Sequence, residues 1–320
     1  MPVEVNESGR LGDLKAVTVE NEYIRLTILP ELGAKIYDII HKESGKNITW
    51  HNPRVRPRRV PFGSRFDDVW SGGWDEIFPN DAESVVGGER YPDMGEVWAL
   101  EWDCEVEEGS DWAAVTTAVR SPITPAEIRR RLTLKNGESG FMLEYQILNL
   151  GSNRIEFLWK VHPAFEINKN CRIEIPAERG IVDRRYAGLF SREDYRWPVA
   201  HGKGGRPVDV SVVDPSANNC TLHYVTGLSS GRLRFIDEEN GLASTLDFPP
   251  DIMNNVWLFL AYGGWRGHYT AVLEPSTSYP FDLAEAIRLG NVTRLDGGER
   301  LLAKLSFGVS SIKTGREQDK

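Results

Sequence analysis

The chain has only three cysteines, Cys104, Cys171 and Cys220, widely spaced and without a CxxC pair. That pattern builds neither a disulfide framework nor a zinc knuckle, so the three read as buried or partly buried thiols. Histidine is scarce too: the six, at 41, 51, 162, 201, 223 and 268, form no HExxH or HxxxH pair and announce no local metal site. A metal site assembled from distant residues stays open to the fold, while the expectation from sequence is no metal and no organic cofactor. Positive charge is in short supply, with 38 Lys plus Arg against 47 Asp plus Glu, a formal net charge of −9. Such a field repels nucleic acids and acidic membranes, so neither is expected as a partner. No window approaches the ~18 apolar residues of a membrane span. The opening MPVEVNESGRLGDLKAV lacks a basic-then-apolar signal pattern, which makes a cytoplasmic location the expectation.

Helical periodicity is nearly missing; only FDLAEAIRLG (281–290) makes a fair short helix. What fills the chain instead is short apolar or alternating runs rich in Val, Ile, Leu, Thr and aromatics. Examples are YIRLTIL (23–29), WAAVTTAV (112–119), EIRRRLTL (127–134), FMLEYQIL (141–148), NVWLFLAY (255–262) and RLLAKLSFGV (300–309). Turn signals such as KNGESG and NLGSN separate them. Many strands joined by tight turns, without alternating helices, predict an all-β protein built as one large antiparallel β-sandwich. The expected division is an N-terminal extension over 1–15, a single domain over 16–310 and a polar, flexible tail over 311–320. Residues 51–98 and 177–207 break the strand spacing and are candidate cleft walls, because long loops in compact domains usually carry function.

The stretch EFLWKVHPAFEI (156–167) brings an apolar run to a histidine followed by proline. In a strand over 154–162, alternation puts Glu156, Leu158, Lys160 and His162 on one face and Ile155, Phe157, Trp159 and Val161 on the core face. His162 then stands at a polar strand end, either as a structural anchor or as a functional imidazole. Glu274 is its counterpart, closing the run TAVL before Pro275. A carboxylate there needs a partner, for which Arg266 is the nearby candidate, or a wet cleft. The ten tryptophans exceed what a core needs, and several lie in or beside the 51–98 segment. Aromatic faces stack on sugar C–H faces while carboxylates and arginine bind hydroxyls, so Trp74 and Trp98 suit sugar contact; Trp102 and Trp112 suit hydrophobic plugs. The cluster Arg54, Arg56, Arg58, Arg59 and Arg65 either clamps an anion or is a solvated loop.

With these residues in place, the chain resembles the aldose 1-epimerase family, with its galactose mutarotase-like supersandwich. The opening VENEYIRLTILPELGAKIYDIIHKESGKNITW is similar to that family's first strands, with the Gly33–Ala34 step. SGGWDEIFPN is similar to the Gly-Gly…Phe-Pro segment, LEYQILNLGSNRIEFLWKVHPAFEI to the strand pair ending in the catalytic histidine, and AVLEPSTSYP to the strand ending in the catalytic glutamate. The resemblance spans roughly residues 16–310. It implies a mutarotase acting on a free or modified aldose, with His162 as acid near the ring oxygen and Glu274 as base at the anomeric hydroxyl. Met94 stands where the family often has a second histidine, and Ser71 where the sugar-phosphate branch tends to carry arginine. Asp75, Glu76, Asp93 and Glu96 are the nearby polar candidates for substrate contact, with Trp74, Trp98 and Arg266. The rivals are a sugar-binding protein that has lost catalysis and a carbohydrate hydrolase or lyase, which would set Asp75 or Glu76 across the sugar from Glu274.

Overall fold

In the computed structural model, residues 2–191 and 194–312 are described, and two large antiparallel sheets dominate them. The larger runs, edge to edge, through Glu4–Leu11, Leu14–Glu20, Ile24–Leu29, Lys35–His41, Trp74–Ile77, Lys160–Glu166, Tyr269–Ser276, Asn255–Tyr262, Cys220–Leu228 and Ala177–Val182. Three short strands between Asp194 and Asp209 extend its far edge. The second sheet has eight strands, with Arg300–Ser311, Gly140–Asn149, Ala126–Lys135 and Trp112–Arg120 at its centre. The FDLAEAIRLG run supplies the helix Leu283–Arg288, which starts where the Asp282 side chain accepts the Glu285 N–H.

Ala126–Lys135 and Gly140–Asn149 of the second sheet alternate as the sequence predicts, whereas Trp112–Arg120 is buried from Ala113 to Thr117. Ala126–Lys135 buries every second residue, and its register sets Ile128 against Ile147 and Leu132 against Leu143. Their apolar faces join those of the larger sheet in a single buried cluster that includes Leu26, Trp74, Val161, Leu134, Leu143 and Phe307. At the centre of the larger sheet alternation disappears: Trp74–Ile77 is buried throughout, as is Lys160–Glu166 except for Glu166. One face of these strands meets the intersheet core, and the other lies beneath loops. Polar side chains on that second face are therefore removed from water without belonging to the core.

Several expected boundaries move. Residues 4–11 are no extension; they pair with Leu14–Glu20 as an edge hairpin of the larger sheet. Ser311 closes the last strand, and of the expected tail, residues 313–320 lie outside the described residues. The run 154–162 is not one strand. Ile155–Phe157 pairs with Thr293–Leu295, the Leu158 N–H donates to the Pro79 carbonyl and Trp159 N–H to Thr277 Oγ1, and only at Lys160 does the chain enter the larger sheet. Glu156 is thus on the surface, 2.8 Å from Arg294, and does not share a face with His162. Pro163 and Pro275 end no strand either. Both lie inside strands, where the ladder between Lys160–Glu166 and Tyr269–Ser276 opens between the pairs Lys160↔Ser276 and Ala164↔Val272. Prolines have no N–H to donate, and the opening falls where they stand. The segments 51–98 and 177–207 are likewise not single loops, since each contributes a strand to the larger sheet.

Candidate functional site

The open ladder is the foundation of the site. Continuing the register across it sets His162 opposite Glu274. On its other side His162 pairs with Asp75, while Glu274 pairs with Trp257. Since Ile36 pairs with Trp74, the same register sets Lys35 across from Asp75. Directly opposed residues in antiparallel strands point to one face, so Lys35, Asp75, His162, Glu274 and Trp257 form one row across five adjacent strands. Lys160, two residues before His162, joins it on that face.

The row is held from both ends. Asp75 Oδ1 is 2.5 Å from Lys35 Nζ, and Trp70 Nε1 donates to its Oδ2 at 3.1 Å. His162 Nδ1 lies 4.0 Å from Asp75 Oδ2, and its Nε2 lies 3.9 Å from Glu274 Oε2. The rings of Phe66 and Trp70 meet the imidazole edge-on. Lys160 Nζ contacts Glu274 Oε2 and lies 2.5 Å from Asp81 Oδ2, over the Trp257 ring at 4.0 Å. Phe66, Trp70, Asp81, Lys160, His162, Trp257 and Glu274 border a cavity of about 130 Å³, which Asp67, Asp93, Met94, Tyr186 and Trp265 close from the loop side; Lys35 and Asp75 lie behind it.

Burial tunes the titrating groups. It pushes Glu274 up to about 7, with Lys160 opposing and Asp81 adding to the rise. It pushes His162 well below the ordinary imidazole range, reinforced by the charges of Lys160 and Lys35. Lys160 is held above the usual lysine value, because Asp81 and Glu274 together outweigh the burial that acts first and in the opposite direction. Asp93 rises to about 6, mainly through burial, despite the hydrogen bond it accepts from the Phe66 N–H. A carboxylate raised toward neutrality beside an imidazole lowered beneath it is a pair able to exchange one proton near physiological pH.

Of the residues singled out from sequence, His162, Glu274, Asp93 and Met94 border the cavity, with Asp75 directly behind His162. The others do not. Trp74 is fully buried in the intersheet core against Phe141 and Phe307, since its strand turns it away from the cavity face. Glu76 points the same way as Trp74, into the intersheet core, and accepts from Arg130 Nη1 at 3.1 Å and Tyr145 Oη at 2.6 Å. Neither Asp75 nor Glu76 therefore faces Glu274 across an open space, as a pair of hydrolytic carboxylates would. Glu96 accepts from the backbone N–H groups of Ile123 and Thr124 and from the Thr124 hydroxyl, pinning a turn. Trp98 is a supporting residue: its Nε1 donates to the Asp93 carbonyl, its ring meets Phe66 edge-on, and its backbone lies against Gly33. At Gly33, with φ of +66°, any Cβ would collide with the Trp98 carbonyl. Arg266 is exposed and pairs with Asp68 at 2.7 Å; the cation beside Glu274 is Lys160. The arginine cluster does not converge, as Arg59 binds Glu31 and Glu101 while Arg54 reaches the Arg266 carbonyl and His268.

Sequence reasoning missed Lys160, Asp81, Trp70 and Trp257. Lys160 was within reach, because its spacing from His162 already put the two on one face. Asp81 was not, since only the fold carries the loop after Ile77 back over Lys160.

An all-β chain of two stacked antiparallel sheets with its polar row on the covered face of the larger one has the galactose mutarotase-like fold. Among solved structures, the Slr1438 protein of Synechocystis sp. PCC 6803 superposes with a TM-score of 0.70 at 19% identity, covering 96% of this chain and 99% of that one. A protein of Klebsiella pneumoniae subsp. pneumoniae MGH 78578 provisionally named an aldose 1-epimerase gives 0.74 at 14% identity, over 96% and 83%. A galactose mutarotase-like protein of Clostridium acetobutylicum gives 0.67 at 13% identity, over 97% and 99%. In sequence, a family described as "Domain of unknown function (DUF5107)" matches residues 7–85.

Proposed function

We propose that this protein interconverts the anomers of a small aldose by acid–base ring opening. The observation that carries the reading is the pair Glu274 Oε2 and His162 Nε2, 3.9 Å apart on a cavity floor. That separation is too long for a direct hydrogen bond, yet short enough for the two groups to address two oxygens on one carbon. In a cyclic aldose those are the anomeric hydroxyl and the ring oxygen. Glu274 takes the hydroxyl proton while His162 gives one to the ring oxygen; rotation about C1–C2 and the reversed transfers close the other anomer. Asp75 behind Nδ1 steadies the imidazolium formed when His162 regains its proton. The reaction balances with one shared proton and no other reactant. At about 130 Å³ the cavity falls below the ~300–1,000 Å³ of drug-sized pockets, which favours one sugar ring over an oligosaccharide.

The test is NMR anomer exchange across a panel of aldoses. Equilibration faster than buffer, lost in His162→Ala with folding intact, is the expected result. Sugars that bind without faster equilibration would leave a binding protein of the same fold, a reading that Met94 at the cavity wall favours because methionine carries no transferable proton.

A further inference from the structure

The charges around the cavity are lopsided. Asp67, Asp81 and Asp93 border it against the single ammonium of Lys160, while Glu274 and His162 hold one proton between them in the working form. Lys160 answers only Asp81 and Glu274. Asp93 accepts one backbone N–H, from Phe66, and the Asp67 side chain makes no hydrogen bond or ion pair among the described residues. Neither half-buried carboxylate is in direct contact with a cation, although the Arg266 and Arg65 charges reach Asp67 from the solvent side. Among the described residues no three His, Cys, Asp or Glu side chains are grouped to hold a metal ion. The cavity also has an independent mark of a ligand site: His162, 5% exposed, borders it with Nδ1 unpartnered among the described residues and with Nε2 3.9 Å from Glu274, beyond hydrogen-bond reach. The walls between the acids are aromatic, from Phe66, Trp70, Tyr186 and Trp265. Ring faces attract an organic ammonium through their quadrupoles, and unpaired carboxylates attract it by charge; the same surroundings repel phosphate and sugar acids.

Building on the ring-opening function proposed above, we propose that the sugar this site selects carries a protonated amine, received by Asp67 and Asp93 against the aromatic wall. An aldose with an amino group in place of one hydroxyl brings the cation the cavity lacks while keeping the anomeric hydroxyl and ring oxygen for Glu274 and His162. Acetylating the amine removes both its charge and its advantage.

The experiment compares kcat/KM for anomer exchange among 2-, 3- and 6-amino-deoxyhexoses, their N-acetyl forms, the parent hexoses and hexose 6-phosphates. It is run at about pH 6.5, below the ~7.7–8.0 typical of α-amino groups. The expected result is at least a tenfold preference for one amino sugar over its parent and its N-acetyl form, with the phosphates slowest. High salt weakens the preference, and Asp67→Asn combined with Asp93→Asn reduces it to below threefold. Parent hexoses exchanged as fast as every amino sugar would overturn the inference while leaving the mutarotase reading intact. Amino sugars that bind at least tenfold more tightly than their parents by NMR titration, yet never exchange faster than buffer, would do the reverse. Failure of every amino sugar to bind overturns the inference outright.

Discussion

Asp75 and Glu76 are neighbours on one strand, and they open onto two different kinds of buried charge. On the intersheet side, Glu76 is enclosed with Arg130 and Tyr145, and its Oε1 receives hydrogen bonds from both. On the covered side, Asp75 backs a row in which Lys160 answers Glu274 and Asp81 while His162 stands 3.9 Å from Glu274 without bonding it. Both clusters are almost wholly removed from water. Burial alone therefore does not separate structure from chemistry. The difference is where the polar atoms face: the Glu76 cluster is closed in the core, with Glu76 Oε2 and Arg130 Nε left unpaired there, whereas the other cluster borders a cavity, where a ligand completes it.

Replacing the carboxylate on the cavity side should have the largest effect on turnover. Glu274→Gln is expected to lower kcat/KM by about 10²–10⁴-fold, the usual weight of a positioned acid–base group. It should not lower thermal stability at pH 8. The folded group titrates at about 7 rather than 4.5, so its ionisation in the fold costs about 3 kcal/mol. That cost is absent below the unfolded value and complete above about 7; the melting temperature of the variant relative to wild type should therefore climb across this window. A variant that melts below wild type at pH 8 would make Glu274 a structural partner of Lys160.

The core cluster should respond in the opposite sense. Glu76→Ala leaves the Arg130 guanidinium buried beside an empty acceptor, an expected loss of about 3–5 kcal/mol in denaturant unfolding. Turnover per folded molecule should be retained. Pairing it with Arg130→Met should recover much of the loss, because the charge left without a partner is gone. Loss of turnover without loss of stability would erase the distinction between the two clusters.

The pH profile probes the cavity side without any substitution. The working form holds one proton between Glu274 and His162, so kcat/KM should peak above the depressed imidazole value and fall as pH rises through about 7, where Glu274 loses its proton and His162 has none to give. The check is exchange rates from pH 5 to 9. A rate that rises through pH 7 and holds to pH 9 would mean that ionised Glu274 and neutral His162 suffice.

Much of this arrangement was legible in the sequence where local pattern decides it. Alternation in EIRRRLTL and FMLEYQIL foretold the second sheet, and the Asp-to-Arg pattern of FDLAEAIRLG foretold the helix. His162 and Glu274 stood out as polar residues at the end of apolar runs before prolines. The prolines also misled, because a residue before proline prefers extended backbone and extended backbone does not require a strand to end. Here the strands run on and the ladder opens instead. Which face Asp75 or Glu76 takes is a matter of register, and register depends on partners far away in sequence. Nothing local tells one carboxylate of the DE pair from the other. The same holds for Trp74 against Trp70: both looked like loop tryptophans, and only the strand beginning at Trp74 sends that ring into the core.

Glu96 offers the finest test, because it resembles a site carboxylate in every respect but its surroundings. It is as buried as Glu274 and follows directly on Gly95, one residue beyond Met94 at the cavity wall. Yet its two oxygens accept from Ile123 and Thr124, at 2.6 to 3.3 Å, and hold the turn leading into Ala126–Lys135. Removing it in Glu96→Ala strands those buried donors, for an expected loss of about 1–3 kcal/mol. Glu96→Gln, which keeps one acceptor oxygen, should lose less. Neither should move the anomer-exchange rate per folded molecule or its pH profile. A shift in that profile would mean that the Glu96 charge reaches the Glu274–His162 pair, and enclosure by its own donors would then not be enough to keep a buried carboxylate out of the chemistry.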